Sequence, residues 1–270
     1  MIDASGRNRQ TRHLLTRMAM IELALIGIGT GNPDHVTLAA VRALNDADLI
    51  LLPRKGDSKA DLVDLRRLLC ERLLESDRPA RIVEFDLPTR QDSSDYLKAV
   101  EEWHSAIAAV WGDMVDTHLP DGGRAALMIW GDPSLYDSSL RIADRLSERG
   151  KPVEVRVIPG ITSLQVLTAE HRVPLNTIAE PVLITTGRRL RERGWPADVP
   201  SVAVMLDGGS AFSSVPPKDI YIWWGAYLGM DKQCLMAGWL SETGPQITQR
   251  RAELRQEFGW IMDIYLLAKQ

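Results

Sequence analysis

The sequence contains few of the residues that build metal centres and disulfide scaffolds, and it lacks a long apolar run. Its only cysteines, Cys70 and Cys234, lie far apart with no Cys-x-x-Cys pair or Cys/His cluster near them, which excludes a disulfide scaffold and a zinc site. The five histidines are scattered without ligand spacing, so no metal is predicted. No stretch approaches the roughly 18 to 20 apolar residues of a spanning helix. A soluble, cytoplasmic protein without a membrane partner is expected.

An excess of positive charge is also missing. The 270 residues carry a net charge of -4, which argues against a nucleic-acid partner. Residues 1–19 contain several arginines but neither an apolar core nor a small-residue cleavage site. We interpret them as a loose leader, with Met20 as the expected start. An organelle transit peptide is the alternative.

From Ile21 to about Arg172, apolar segments alternate with amphipathic ones. This alternation is typical of repeated βαβ units and predicts an α/β domain over 20–172, a mostly parallel sheet with helices on both faces. Strands are predicted over 21–28, 48–52 (ended by Pro53), 82–85, 124–130 and 153–158. Helices are predicted from Thr37 and Asp57, over 96–114 and 135–146, and from Thr162.

The pattern changes after Val173 and Pro174. Residues 173–180 are interpreted as a linker and 181–270 as a smaller α+β domain, because strand-like segments there follow one another with fewer long helices between them. Strands are predicted over 182–185, 202–206, 220–224, 235–240 and 260–267. The stretches 187–200 and 208–217 are rich in Gly, Pro, Ser and Arg and are predicted to be loops.

Three glycine- or proline-marked loops each follow an apolar segment. They are the first loop (Gly27–Pro33), the second loop (Trp130–Ser134) and the third loop (Ile158–Ser163). Since the carboxyl ends of parallel strands face one crevice, and residues without bulk let a ligand approach the backbone, we expect one ligand site. Asp132 is expected to cap the helix that follows the second loop, with Pro133 as its first residue.

Two common phosphate-binding motifs do not fit the first loop. Gly27 and Gly29 lack the third glycine of Gly-x-Gly-x-x-Gly, and Pro33 interrupts the helix start, which weakens a dinucleotide site. No Gly-Lys-Ser/Thr follows, which removes the Walker A cradle.

The three loops in this order, with Ala47–Leu51 on the second strand and Gly225–Gln233 before the strand 235–240, resemble the tetrapyrrole methylases. These S-adenosylmethionine-dependent enzymes build cobalamin and sirohaem, and diphthine synthase is a relative. The resemblance spans about 21–267. It implies a two-domain α/β fold with the cofactor in the cleft between the domains, an anionic tetrapyrrole substrate and a homodimer. The strings 130–138 and 205–209, with the insert before Trp103, most resemble members that methylate precorrin-5 at C1 and release acetate.

The resemblance also implies cofactor contacts, position by position. Thr30 stands in the first loop where many relatives have proline. The other implied contacts are Trp130, Gly131, Asp132 and Leu135 after the fourth strand, Thr162 and Ser163 in the third loop, and Leu206, Gly225 and Ala226 in the second domain.

Acetate release requires water to attack an acyl carbonyl, so a carboxylate or phenol could guide proton movement. The candidates are Tyr136, Asp137 and Asp207; for the first two, packing within a helix or contact with solvent is the alternative. Arg54 and Arg188 are candidates for binding substrate carboxylates, because arginine pairs with carboxylates in a bidentate manner. The alternative for both is a solvated charged loop.

Two rival functions stay open. Another precorrin or uroporphyrinogen C-methyltransferase would carry the same loops, whereas diphthine synthase would require a protein substrate. A non-catalytic nucleotide-binding module could also retain the site, and only product formation separates it from an enzyme.

Overall fold

The computed structural model describes residues 20–54, 60–75, 80–90, 95–148 and 152–270. The contacts divide the chain into two compact units, the first ending at Gly160 and the second comprising Ile161–Gln270. The predicted leader lies outside the described residues. The predicted domain limits at 172 and 180 stay a prediction, although this division falls earlier in the chain.

The first unit is built on a five-stranded parallel sheet with the order β3-β2-β4-β1-β5, which confirms the predicted class. Its elements in chain order are β1 (Ile21–Gly27), α1 (Leu38–Asn45), β2 (Leu49–Arg54), α2 (Ala60–Leu73), β3 (Arg81–Asp86), α3 (Tyr96–His118), β4 (Gly123–Ile129), α4 (Ser139–Ser147) and β5 (Val153–Ile158).

Helices cover both faces of this sheet. Successive side chains of β1 point to opposite faces and enter two separate cores. Leu23 packs in one core with Trp111 of α3 and Ile142 of α4. Ile26 lies in the other core with Leu69 of α2. Strands buried on both faces read as nearly continuous apolar segments, which is why they are visible in the sequence.

The predicted end of the second strand is wrong. Pro53 does not end β2, which continues to Arg54. The ladder from β2 to β4 stops at Leu51, so β2 is bonded only to β3 at Pro53, where the missing N–H costs no bond to β4. The start of the predicted helix Asp57 lies outside the described residues.

The second unit contains a mixed five-stranded sheet with the order β6-β7-β10-β8-β9. Only β6 and β7 are parallel neighbours; β10 is antiparallel to both β7 and β8. The elements in chain order are α5 (Ser163–His171), β6 (Val182–Thr186), α6 (Gly187–Arg193), β7 (Ser201–Met205), β8 (Ile220–Ala226), β9 (Cys234–Trp239), α7 (Leu240–Phe258) and β10 (Asp263–Lys269).

Two helices of this unit are absent from the sequence-based prediction. The predicted loop 187–200 begins with α6, and no helix is predicted where the 19-residue α7 lies. Gly244 and Pro245 interrupt the helical pattern of α7 and hide it. Its buried face, which includes Leu240, Ile247 and Leu254, packs on the core of the second unit and outweighs these local penalties.

None of the helices in the described ranges combines the length and the apolar character needed to cross a bilayer.

Candidate functional site

The three loops meet at the carboxyl edge of the first sheet, as the sequence predicts. The reason is the strand order: β1 lies between β4 and β5, so the loops after these strands are neighbours. Gly131 donates a backbone hydrogen bond to the carbonyl of Gly29 at 2.7 Å, and Gly29 donates to the carbonyl of Gly131 at 3.3 Å. The backbone N–H of Gly160 donates to Oδ2 of Asp132 at 2.9 Å.

Glycine is required at this junction because the backbones touch. A Cβ atom added to Gly160 would lie 2.1 Å from the carbonyl oxygen of Gly131. One added to Gly27 would lie 2.6 Å from the nitrogen of Gly160. The junction is therefore lined by backbone groups of the three loops, and the N–H groups of Gly29, Gly131 and Gly160 bond to neighbouring loops there.

Asp132 ties two loops together instead of capping a helix, so its predicted role as N-cap is wrong. Its Oδ1 accepts from the N–H and the hydroxyl of Ser134, while its Oδ2 accepts from Gly160. Helix α4 begins later than predicted, at Ser139, with Ser138 as its N-cap. Burial raises the pKa of the Asp132 carboxyl, but the hydrogen bonds from Ser134 and Gly160 outweigh it and lower the pKa overall.

Thr30 and Trp130 both lie in loops at the carboxyl edge of the first sheet, but among the described residues only the polar group of Thr30 has a hydrogen-bond partner. Thr30 is buried, and its hydroxyl lies 2.8 Å from Nδ1 of His35. The indole Nε1 of Trp130 is buried and finds no hydrogen-bond partner in the described part of the chain. A buried N–H without a partner is costly, so it marks a place where a ligand acceptor would be favoured.

Tyr136 and Asp137 follow in the segment before α4. Tyr136 has a φ of 51° with a side chain that is 43% exposed, and burial of part of the ring raises the pKa of its phenol. Oδ1 of Asp137 accepts from the N–H of Ser139 at 2.6 Å. A left-handed tyrosine is strained, and such strain is concentrated at functional sites. Leu135 is half-buried, and its N–H donates to the carbonyl of Asp132.

Thr162 and Ser163 form the start of α5. The hydroxyl of Thr162 accepts from the N–H of Leu164 and donates to Gln165, whose side chain accepts from the N–H of Thr162 in turn. This capping box uses the Thr162 side chain fully. The predicted cofactor contacts at these two positions stay a prediction.

The second unit places its predicted residues at one edge of its own sheet. Since β10 is antiparallel to both β7 and β8, the carboxyl ends of β7 and β8 lie on the same side. Leu206 follows β7 with a φ of 52° and a side chain that is 66% exposed. Gly225 and Ala226 end β8, and a Cβ on Gly225 would lie 2.6 Å from Leu228.

Asp207 lies in a buried polar network. Its side chain is 1% exposed and accepts hydrogen bonds from four donors. They are the N–H groups of Gly209 and Ala211, the guanidinium of Arg191 at 2.8 Å and the hydroxyl of Tyr265 at 2.8 Å. Both oxygens are therefore fully used. This placement supports a structural role, and its catalytic role stays a prediction.

Two further charged residues complete that network. Arg251 donates to the carbonyl of Asp207 and pairs with the buried Asp263 at 2.9 Å. Asp263 also accepts from the indole N–H of Trp224 at 2.8 Å. The network fixes the backbone that carries Leu206.

The two predicted substrate arginines lie on the surface beside carboxylates. Arg54 makes a bidentate pair with Asp86, with both N–O distances at 2.9 Å. Arg188, in α6, lies 3.9 Å from Glu192. Surface pairs of this kind are weak, so neither residue is barred from exchanging its partner for a substrate.

Two buried residues are not marked as functional by the sequence: Arg66 of α2, which lies over Trp130, and His104 of α3. Burial lowers the pKa of His104, and the charges of Arg145 and Arg141 lower it further. No sequence signal marks either residue, because an Arg or His in an amphipathic helix is usually on the solvent side.

No group of three or more His, Cys, Asp or Glu side chains in the described ranges is arranged to hold a metal ion.

The chain is similar to known proteins of one family. The model of the Tetrapyrrole (Corrin/Porphyrin) Methylases matches residues 22–241. Precorrin-6A synthase (deacetylating) from Sinorhizobium sp is 43% identical over 257 residues, which cover 94% of this chain and 98% of that protein.

Solved structures agree with the fold. A cobalamin synthesis related protein (CobF) from Corynebacterium diphtheriae superposes with a TM-score of 0.80 at 39% identity, covering 93% of this chain and 99% of that chain. Uroporphyrin-III C-methyl transferase from Thermus thermophilus, complexed with S-adenyl homocysteine, has a TM-score of 0.56 at 18% identity and covers 92% of both chains. The latter likeness concerns the fold alone.

Proposed function

Because the chain belongs to the tetrapyrrole (corrin/porphyrin) methylase family, we propose that it catalyses the precorrin-6A synthase (deacetylating) reaction of cobalamin biosynthesis. In this reaction a methyl group is transferred from S-adenosylmethionine to C1 of precorrin-5, and the extruded acetyl group leaves as acetate. The observation that carries the proposal is the backbone-lined junction of the three loops at Gly27, Gly131 and Gly160. The near full-length relative supports the choice of macrocycle carbon.

The residues present fit S-adenosylmethionine. This molecule combines a flat adenine, a ribose diol, an amino-acid zwitterion and a sulfonium. The unpartnered indole N–H of Trp130 is a hydrogen-bond donor that its polar parts could use. The exposed Leu206 offers an apolar surface for the adenine. The residues that would hold it are Thr30, Trp130, Gly131, Asp132, Leu135, Thr162, Ser163, Leu206, Gly225 and Ala226.

Positioning is the main contribution of the protein. Bound S-adenosylmethionine would supply an electrophilic methyl group on a positively charged sulfur. The loops would position the methyl donor against the substrate, and orientation alone can lower a barrier by about 7 to 11 kcal/mol. No elaborate base is needed for the methyl transfer itself.

Acetate release needs proton movement, and Asp137 and Tyr136 are the proposed groups. Water adds to the acetyl carbonyl carbon, the carbon–carbon bond to the macrocycle breaks, and a proton moves to the ring. Both residues lie in the segment between the second loop and α4. Asp207 is a weaker candidate than either, because its carboxylate is already fully bonded.

Asp137→Asn is expected to slow acetate release by about 100-fold, because a carboxamide cannot accept the proton of the attacking water. The substitution retains the oxygen that accepts from Ser139, so α4 keeps its start. Methyl transfer and acetate release are measured separately in single-turnover reactions with precorrin-5, and Tyr136→Phe is tested in parallel.

The matched control is Asp144→Asn, on the exposed side of α4. Both rates should stay at the parent value in this variant. Equal acetate release in Asp137→Asn and the parent would remove Asp137 from the mechanism.

Leu206→Gly is expected to weaken S-adenosylhomocysteine binding about 10-fold, since the apolar contact area is lost. Stability should stay the same or rise by up to about 1 kcal/mol, because glycine adopts a positive φ without strain. Calorimetric titration and chemical unfolding measure the two effects. Asp219→Gly is the control, since Asp219 is exposed with a φ of 58°; it should alter stability but not affinity. Unchanged affinity in Leu206→Gly would contradict the proposed adenine contact.

The function itself is tested by mass spectrometry. The purified protein is incubated with S-adenosylmethionine and a set of precorrins. The proposal expects precorrin-5 to gain a methyl group and lose its acetyl group. Methylation of another precorrin or of uroporphyrinogen would favour a rival methylase, and cofactor binding without any product would favour a binding module.

Three further predictions concern the substrate, the oligomeric state and the location of the enzyme. An anionic tetrapyrrole substrate is consistent with the family, and Arg54 and Arg188 are proposed to bind its carboxylates. The homodimer stays a prediction that light scattering would test. The cytoplasmic location also stays a prediction.

A further inference from the structure

Arg66 of α2 is a buried cation. Arg66 is only 7% exposed. Nε donates to the carbonyl of Met128 at 3.2 Å, and Nη1 donates to the carbonyl of Leu62 at 3.3 Å. The guanidinium lies over the ring of Trp130, 5.0 Å from its centroid. The side chain is therefore held in one orientation.

The charge of Arg66 has no close counter-ion. Its hydrogen-bond acceptors are neutral carbonyls, and it forms no salt bridge with a described carboxylate. Burial lowers the pKa of Arg66 to about 10, and the more distant charge of Asp137 offsets only part of this shift. Buried charges in proteins are normally paired. The other buried arginine of the described chain, Arg251, follows that rule through Asp263.

The position of Arg66 connects it to the candidate site. Its neighbour Leu65 packs against the first loop, where a Cβ on Gly31 would lie 2.5 Å from Leu65 and 2.9 Å from Trp130. Met128 and Trp130 are at the carboxyl end of β4, where the second loop begins. The cation thus contacts Trp130, a predicted cofactor residue, at the edge where the loops meet.

We propose that Arg66 binds a carboxylate of a ligand in the candidate site. Its Nη2 makes no hydrogen bond to the described residues and remains to complete a pair. Such a pair would be strong, because a guanidinium stacked on an aromatic ring is already oriented. The inference rests on the proposed function, whose two ligands both carry carboxylates. One source is a peripheral carboxylate of the tetrapyrrole, and the other is the amino-acid carboxylate of the methyl donor.

The test replaces the charge but keeps the stem. Arg66→Met retains an unbranched side chain against Trp130, and Arg67→Met is the control. Arg67 is the next residue of α2 but is exposed and paired with Glu84. Affinities for S-adenosylhomocysteine and for methylthioadenosine, which lacks the amino-acid part, are measured by calorimetry. The KM and kcat for precorrin-5 are measured in the same variants.

In Arg66→Met we expect either the affinity for S-adenosylhomocysteine to fall or the KM for precorrin-5 to rise, by about 10- to 100-fold. This is the size of effect expected for a hydrogen bond to a charged group. If the methyl donor supplies the carboxylate, S-adenosylhomocysteine binds more weakly in Arg66→Met while methylthioadenosine does not. If the tetrapyrrole supplies it, the KM for precorrin-5 rises and the affinity for S-adenosylhomocysteine is unchanged. Arg67→Met should match the parent in both arms.

Unchanged affinities and an unchanged KM in a folded Arg66→Met would overturn the proposal. If that variant does not fold, Arg66→Gln decides in its place, because it removes the charge but keeps an N–H₂ group that can donate to a backbone carbonyl. Parent-like affinities and a parent-like KM in Arg66→Gln would overturn the proposal equally. Failure of the proposed function is a different result, since the parent protein would then give no methylated product.

Discussion

Gly160→Ala is expected to lower the free energy of unfolding of the first unit by about 3 kcal/mol and to abolish measurable binding of S-adenosylhomocysteine. The added Cβ would lie 2.1 Å from the carbonyl oxygen of Gly131 and 2.8 Å from Gly27. Neither is a flexible side chain, so the loops themselves must separate, and overpacking of rigid surroundings costs about 1 to 3 kcal/mol or more. The hydrogen bond from Gly160 to Asp132 would be lost as well. Chemical unfolding and calorimetry measure the two effects.

Gly208→Ala is the matched control. Gly208 is exposed, and a Cβ there would have no neighbour within 4 Å. Its stability should stay the same or rise by up to about 1 kcal/mol, because alanine restricts the unfolded chain. A Gly160→Ala variant as stable as Gly208→Ala would show that the three loops do not touch as described.

Asp207→Asn is expected to destabilise the protein by about 3 kcal/mol. The carboxylate accepts from two backbone N–H groups, Arg191 and Tyr265, and a carboxamide would set an N–H₂ group against some of these donors. The loss of a buried, hydrogen-bonded charge is of this size. Chemical unfolding measures it. Asp198→Asn, at an exposed position of the same unit, should stay within about 0.5 kcal/mol of the parent.

The same substitution should change the acid sensitivity of the protein. Burial raises the pKa of Asp207, but its four kinds of hydrogen bond outweigh burial and lower the pKa below the ordinary value of 3.8. A carboxyl with a depressed pKa contributes stability that is complete above its unfolded-state pKa and is lost as the pH falls through the folded-state pKa. The parent should therefore lose more stability than Asp207→Asn between about pH 4 and pH 2.

Activity distinguishes the two roles assigned to Asp207. If its role is structural, a folded Asp207→Asn variant keeps the parent kcat for acetate release at a temperature well below its unfolding. A kcat reduced about 100-fold with stability intact would instead favour the catalytic role that the sequence predicts.

The sequence alone predicts most of the first unit. Strands buried on both faces are apolar throughout, and the helix from Tyr96 shows a clear apolar stripe, so both are visible without tertiary information. The convergence of the three loops also follows, because carboxyl ends of parallel strands share one edge. The motifs of these loops carry the family resemblance, which the match over residues 22–241 confirms.

The second unit is harder to read for a physical reason. Helix α7 contains Gly244 and Pro245, and its stability comes from the core that it covers. Helix α6 is short and rich in arginine, so it has the composition of a loop; Gly187 at its start packs directly against the carboxylate of Asp207. Tertiary contacts decide both elements, and local propensity does not reveal them.

What the amino-acid sequence determined by itself is the order of strands, helices and glycine loops, because these depend on patterns within a few residues. Which charges are compensated was decided only by the tertiary structure. Asp132 has the sequence of a helix cap but bonds to Gly160, and Asp207 resembles a catalytic acid but is bonded on both oxygens. Arg66 resembles a surface arginine of an amphipathic helix, yet it lies buried without a close counter-ion. The partners of a charged side chain come from distant parts of the chain, so its local sequence cannot specify them.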